Sequence, residues 1–209
     1  AMEGLTPCAA HYLVVASTNG AGLATSHPAV GTLHLETTGE SPVSGASTVP
    51  VDIPDDDPAG VLSTVSVDSP WDVLDVDVRL DITHTYDADL EITLIGPQGQ
   101  RVELAADVGG SGHNFTATVF DDEAATPIGS GSAPFTGSFQ PAQPLSALDG
   151  TPAAGIWTLE VVDDAGYDTG TLEGWELQLL VSEPCGDPGD LFSDGFETGN
   201  CMRWSAEVP

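Results

Sequence analysis

Between Val73 and Gly96 two runs of alternating residues flank a short acidic turn, and a chain that carries them must build a sheet. In the first run Val76, Val78, Leu80 and Ile82 point one way while Asp75, Asp77, Arg79 and Asp81 point the other. That is the period-two pattern of a half-buried strand. In the second run Leu90, Ile92 and Leu94 alternate with Glu91, Thr93 and Ile95 until Gly96 and Pro97 stop it. The six residues between, His84-Thr85-Tyr86-Asp87-Ala88-Asp89, have the length and polarity of a hairpin loop. Two such strands are not stable alone, so the remaining chain must supply a sheet that covers their apolar face.

The flanking sequence offers further short strands. Residues 12–16 and 30–35 read as an N-terminal strand pair, and residues 40–47, rich in Ser and Gly, as a linker. The pair resembles the last strands of the immunoglobulin-like modules strung together in exported bacterial proteins; packing against the main domain is the alternative. From Val49 the pattern predicts an edge segment restricted by Pro50 and Pro54, then strands at 62–67, 101–105, 114–120, 156–162 and 175–181. A long irregular stretch, 124–150, is expected on the outside. With 24 Gly and 16 Pro, no window leaves room for three helical turns. The chain therefore reads as folded, loop-rich and all-β. Trp157 and Trp175 alternate with aliphatic residues and are expected in the core rather than on a sugar-stacking surface.

Charge narrows the partners. Acidic residues number 33 against three Arg and no Lys, a formal net charge of −30, so nucleic acid and anionic membrane are excluded as natural companions. Divalent cations and an extracellular medium fit, although an acidic surface that only keeps an exported protein soluble explains the charge equally well. No apolar run is long enough to span a bilayer and none reads as a signal peptide. Cys185 and Cys201 bracket fifteen residues near the end, where a bridge would contribute about 3 kcal/mol, and Cys8 is left over.

Nucleophilic and zinc chemistry lack their motifs. Gly109-Gly110-Ser111-Gly112-His113 only superficially resembles a nucleophile elbow, and the five His show no H-E-x-x-H spacing. Carboxylate clusters remain, and calcium takes six to eight hard oxygens of the kind that acidic loops supply. Five loops qualify by composition: Asp87 with Asp89; Asp121, Asp122 and Glu123; Asp163, Asp164 and Asp168; residues 55–57; and Asp187, Asp190, Asp194 and Glu197 in the tail. Each taken singly reads equally well as a solvated turn, because Asp is a turn residue.

Five blocks in order, HTYDADLEITLIGPQG, GGSGHNFTATVFDDEA, APFTGSFQP, GIWTLEVVDDAG and DTGTLEGWEL, resemble the P domain (homo B domain) of proprotein convertases in its bacterial form. The likeness covers about 48–182. It implies a β-sandwich of jelly-roll type, a non-catalytic role beside a subtilisin-like serine protease domain, and a structural hydrogen-bonding role for His84. It favours calcium at Asp121, Asp122 and the loop Asp163, Asp164, Asp168, while Asp89 can instead fix its own turn. The segment LFSDGFETGNCMRWS separately resembles the ends of many exported bacterial proteins.

The resulting expectation is an all-β, jelly-roll-like sandwich at 48–183, a strand pair and linker at 1–47, and a disulfide-closed acidic tail at 184–209. It is a secreted, monomeric, calcium-binding accessory domain that packs against a neighbouring catalytic domain. The competing reading is an adhesion module that recognises glycan or protein through residues 124–150. The acidic loops at 121–123 and 163–168 are expected to meet at one end of the sandwich.

Overall fold

The computed structural model describes residues 39–184 throughout and, before them, four two-residue strands. The chain divides into two compact units, residues 40–183 and the remainder. In the remainder, β1 (His11–Tyr12) pairs antiparallel with β4 (His34–Leu35), and β2 (Ser17–Thr18) with β3 (Ala24–Thr25). The expected Cys185–Cys201 bridge, Cys8 and the tail carboxylates lie outside the described residues.

The larger unit is built from β5 (Gly39–Ser47), β6 (Val51–Ile53), β7 (Asp57–Val67), β8 (Asp72–His84), β9 (Leu90–Ile95), β10 (Arg101–Ala106), β11 (Phe115–Phe120), β12 (Phe135–Phe139), β13 (Gly155–Asp163) and β14 (Gly170–Glu183). Four strands form one sheet in the order β10-β9-β13-β7. Six form the other, β12-β11-β8-β14-β5 with β6 also on β14. Alternation sets the sandwich: Val76, Val78, Leu80, Ile82, Trp175, Leu177 and Leu179 line one inner face, and Leu90, Ile92, Leu94, Trp157, Leu159 and Val161 the other, all buried. Both indoles are in the core, as expected. Trp157 donates its Nε1–H to the Ala153 carbonyl at 3.0 Å, and Trp175 to the Ser63 hydroxyl across the sheets, also at 3.0 Å. Buried ring N–H groups need such acceptors.

Three expectations are corrected by this topology. β8 and β9 are not a hairpin: β8 pairs with β11 and β14, whereas β9 pairs with β10 and β13, so residues 84–89 form a corner between sheets. β13 and β14 likewise sit in different sheets, and residues 163–170 make a second corner beside the first. Residues 40–47 are no linker but most of an edge strand. The stretch 124–150 is not an outer loop: β12 runs parallel to β11, and Ile128, Phe135, Phe139, Leu145 and Leu148 are buried in the common core. Phe115 and Phe135 stack with centroids 4.8 Å apart, and Phe139 meets Phe135 edge-on at 5.8 Å. Three short 3-10 turns are the helices among the described residues, and none is long and apolar enough to cross a membrane.

Candidate functional site

The eight carboxylates singled out in the sequence fall into two groups at opposite ends of β8. Phe120 lies opposite Val78 and Gly170 opposite His84, so Asp121 and the 163–170 corner are separated by about 20 Å of strand. The expected meeting of the two loops does not occur. The physical reason is that β11 and β14 both run antiparallel to β8, which sends the end of one and the start of the other to opposite ends.

At the corner, His84 and Asp163 form a buried pair at 3.1 Å with both side chains sealed from solvent. The His84 Nδ1 lies 2.8 Å from the Tyr86 carbonyl, and Asp163 Oδ1 accepts the Ala165 N–H. His84 thus has the hydrogen-bonding role that the family likeness implied. Asp87 is fully buried; its Oδ1 accepts the Asn114 N–H at 2.7 Å, while Oδ2 has no partner among the described residues. Burial raises its pKa, opposed by the Asn114 N–H and by His84 and His113. Asp89 is also raised, by burial first and then by the charges of Asp163, Asp168 and Asp164. The Asp164 N–H donates to the Asp89 carbonyl at 3.0 Å, and Asp168 accepts the Thr85 hydroxyl at 2.8 Å. The carboxylates here mostly tie one corner to the other.

The opposite end is less neutralised. Asp122 accepts the N–H groups of Leu145 and Ser146 with its two oxygens, both at 2.9 Å, and Asp121 accepts that of Glu123 at 2.6 Å. Antiparallel pairing of β8 with β11 brings Asp77 and Asp75, outward residues of β8, to this group. The Asp77 pKa is pushed up to about 6 by burial and by the charges of Asp121, Asp75, Glu123 and Asp122. Glu123 is raised, chiefly by Asp75, and Asp149 is raised by burial, Asp75 and Asp122. Sequence reasoning missed Asp75, Asp77 and Asp149 as members; the only signal was that two of them share the outer face of β8. Both ends offer hard oxygen donors suited to calcium, and the orphaned Asp87 Oδ2 and the mutually repelling Asp77 group are the features a cation would relieve. Among the described residues no three His, Cys, Asp or Glu side chains already converge on one metal position, so carbonyl or water oxygens would have to complete any shell.

The described residues thus form a two-sheet sandwich whose corners are clamped by a buried His–Asp pair. Residues 73–179 match the proprotein convertase P-domain model, and the chain belongs to that family. Leupeptin-inactivating enzyme 1 of Streptomyces exfoliatus is 26% identical over 133 residues, covering 63% of this chain and 25% of that protein. The crystal structure of the Aeromonas sobria serine protease in complex with its chaperone superposes with a TM-score of 0.50 at 20% identity, covering 72% of this chain and 28% of the protease. The chain thus spans about a quarter of each of these proteins, and the structural likeness concerns the fold.

Proposed function

We propose that this chain is a non-catalytic accessory domain of a secreted protease of the subtilisin/kexin kind, stabilising the catalytic domain and shaping access to it. Membership of the P-domain family over residues 73–179 is the observation that carries the reading. The short coverage of both relatives, one named as a serine protease, supports a part played within a longer protein. The sandwich is of jelly-roll type in this reading and acts as a monomer. Adhesion through residues 124–150 is the weaker alternative, because the large side chains of that stretch are spent on the core.

Calcium is the proposed cofactor. Asp121, Asp122 and Glu123, joined by Asp75 and Asp77, would hold it at one end; Asp163, Asp164, Asp168, Asp87 and Asp89 provide a second, more fully bonded set. The stronger response belongs to the first set, where repulsion among carboxylates is relieved by a cation. The accessory role is tested by producing the neighbouring catalytic domain with and without residues 48–183. Loss of these residues should shorten its half-life at elevated temperature, and the isolated chain should leave casein uncut after repurification. A catalytic domain equally durable without them, or a chain that cleaves casein by itself, contradicts the proposal.

A further inference from the structure

Beside the clamped corner, where β6 meets the end of β8 and the start of β14, an open cavity of about 510 Å³ is lined by Asp52, Thr83, Thr85, Asn114, Thr169 and Thr171 among others. Three of its four threonine hydroxyl protons are already committed. Thr171 donates to Asp52 at 3.3 Å, Thr85 to Asp168 at 2.8 Å and Thr83 to Glu173 at 3.0 Å. What these three oxygens still present is lone pairs, since a hydroxyl carries one proton and two acceptor sites, one of which on Thr85 is taken by the Thr169 N–H at 3.0 Å. The wall is therefore rich in acceptors and negative. The chain has no Lys, and Arg79 and Arg101 are each paired elsewhere, with Asp81 and Glu160. The His84 imidazole is sealed away against Asp163.

Two residues before Thr169 in the chain, Tyr167 is wholly exposed. Its φ is +89°, a conformation that a bulky L-residue seldom adopts, and its N–H is held by both oxygens of Asp55 at 3.1 and 3.3 Å. The fold thus holds this ring in solvent on a fixed backbone, where its face is open to a cation.

We propose that the cavity receives an arginine side chain presented by a partner protein, its guanidinium donating to Asp52 and the threonine oxygens while Tyr167 covers it. A planar fork of five N–H donors matches several separated acceptors, whereas an ammonium is a strongly hydrated point charge. This binding site is independent of the accessory role, and it touches the second calcium set only through the Thr85 hydroxyl on Asp168, which is why calcium is held fixed in the test.

The test is a titration of the full chain, at fixed calcium and ionic strength, with N-acetyl-arginine methylamide, followed by amide NMR shifts. Saturable shifts should centre on Thr83, Thr85, Thr169 and Gly170. Asp52→Asn should weaken binding about tenfold or more, the loss expected for a charge-assisted hydrogen bond. Tyr167→Ala, at an exposed position that folding does not need, should weaken it about threefold. Glu103→Gln, on β10 in the other sheet, should change nothing, and the lysine analogue should bind more weakly than the arginine one. The proposal is overturned if the shifts do not saturate, if neither Asp52→Asn nor Tyr167→Ala weakens them, if the lysine analogue binds equally, or if methyl glucoside moves the same amides.

Discussion

His84 and Asp163 stand 3.1 Å apart without solvent around either side chain, so removing one strands the other. Deleting one partner of a buried pair costs about 3–5 kcal/mol, while replacing both with apolar groups is often close to neutral. His84→Ala and Asp163→Ala should each lose stability of that order in urea unfolding, and the paired His84→Leu, Asp163→Leu variant less than the sum of the two. Asp77 acts in the opposite sense. Its pKa is pushed from 3.8 to about 6, so the folded state keeps a proton that the unfolded state has released. The stability this group contributes is fully present below pH 3.8 and lost as pH rises through about 6. Glu123 and Asp149 shift in the same direction. Without divalent cations the melting temperature should therefore rise between about pH 7.5 and 5, and Asp77→Asn should raise it at the higher pH and flatten the dependence. Circular-dichroism melts across that range check the sign; a steady fall toward pH 5 would show that these carboxyls are not mutually strained.

Among elements, β12 and its approaches carry more than a connection would. Phe135 is fully buried between Phe115 and Phe139, and truncating it should cost about 3–5 kcal/mol, as core aromatics do. Gly170 is equally constrained: a Cβ there would run into the His84 ring and come within 2.6 Å of the Thr83 carbonyl, so Gly170→Ala should destabilise by displacing the corner clamp. Denaturant midpoints measure both. The faces of β8 and β9 were legible in the sequence because one side of each is buried, and alternation reports burial directly. Their partners were not legible. Whether β9 folds back on β8 or crosses to the other sheet depends on β11 and β14 occupying both edges of β8, which no local pattern records. β5 escaped notice for a different reason: its small and polar residues at a sheet edge bury little, and only Gly39 within it is fully covered. The grouping of Asp75 and Asp77 with Asp121 likewise required the register of β8 against β11.

For the whole molecule, the topology separates its acidic residues into a corner that is internally bonded and an end that repels itself, and the calcium proposal turns on that difference. A site filled to a hundred times its dissociation constant adds about 2.7 kcal/mol by mass action, or about 5 to 10 °C in a domain of this size. The most direct test is the melting temperature of the chain in millimolar calcium against sodium chloride of matched ionic strength, repeated with Asp121→Ala and with Asp164→Ala. The proposal predicts a rise beyond the salt control that Asp121→Ala largely abolishes and Asp164→Ala only reduces. A rise no greater than the salt control, or one that survives Asp121→Ala intact, would contradict it.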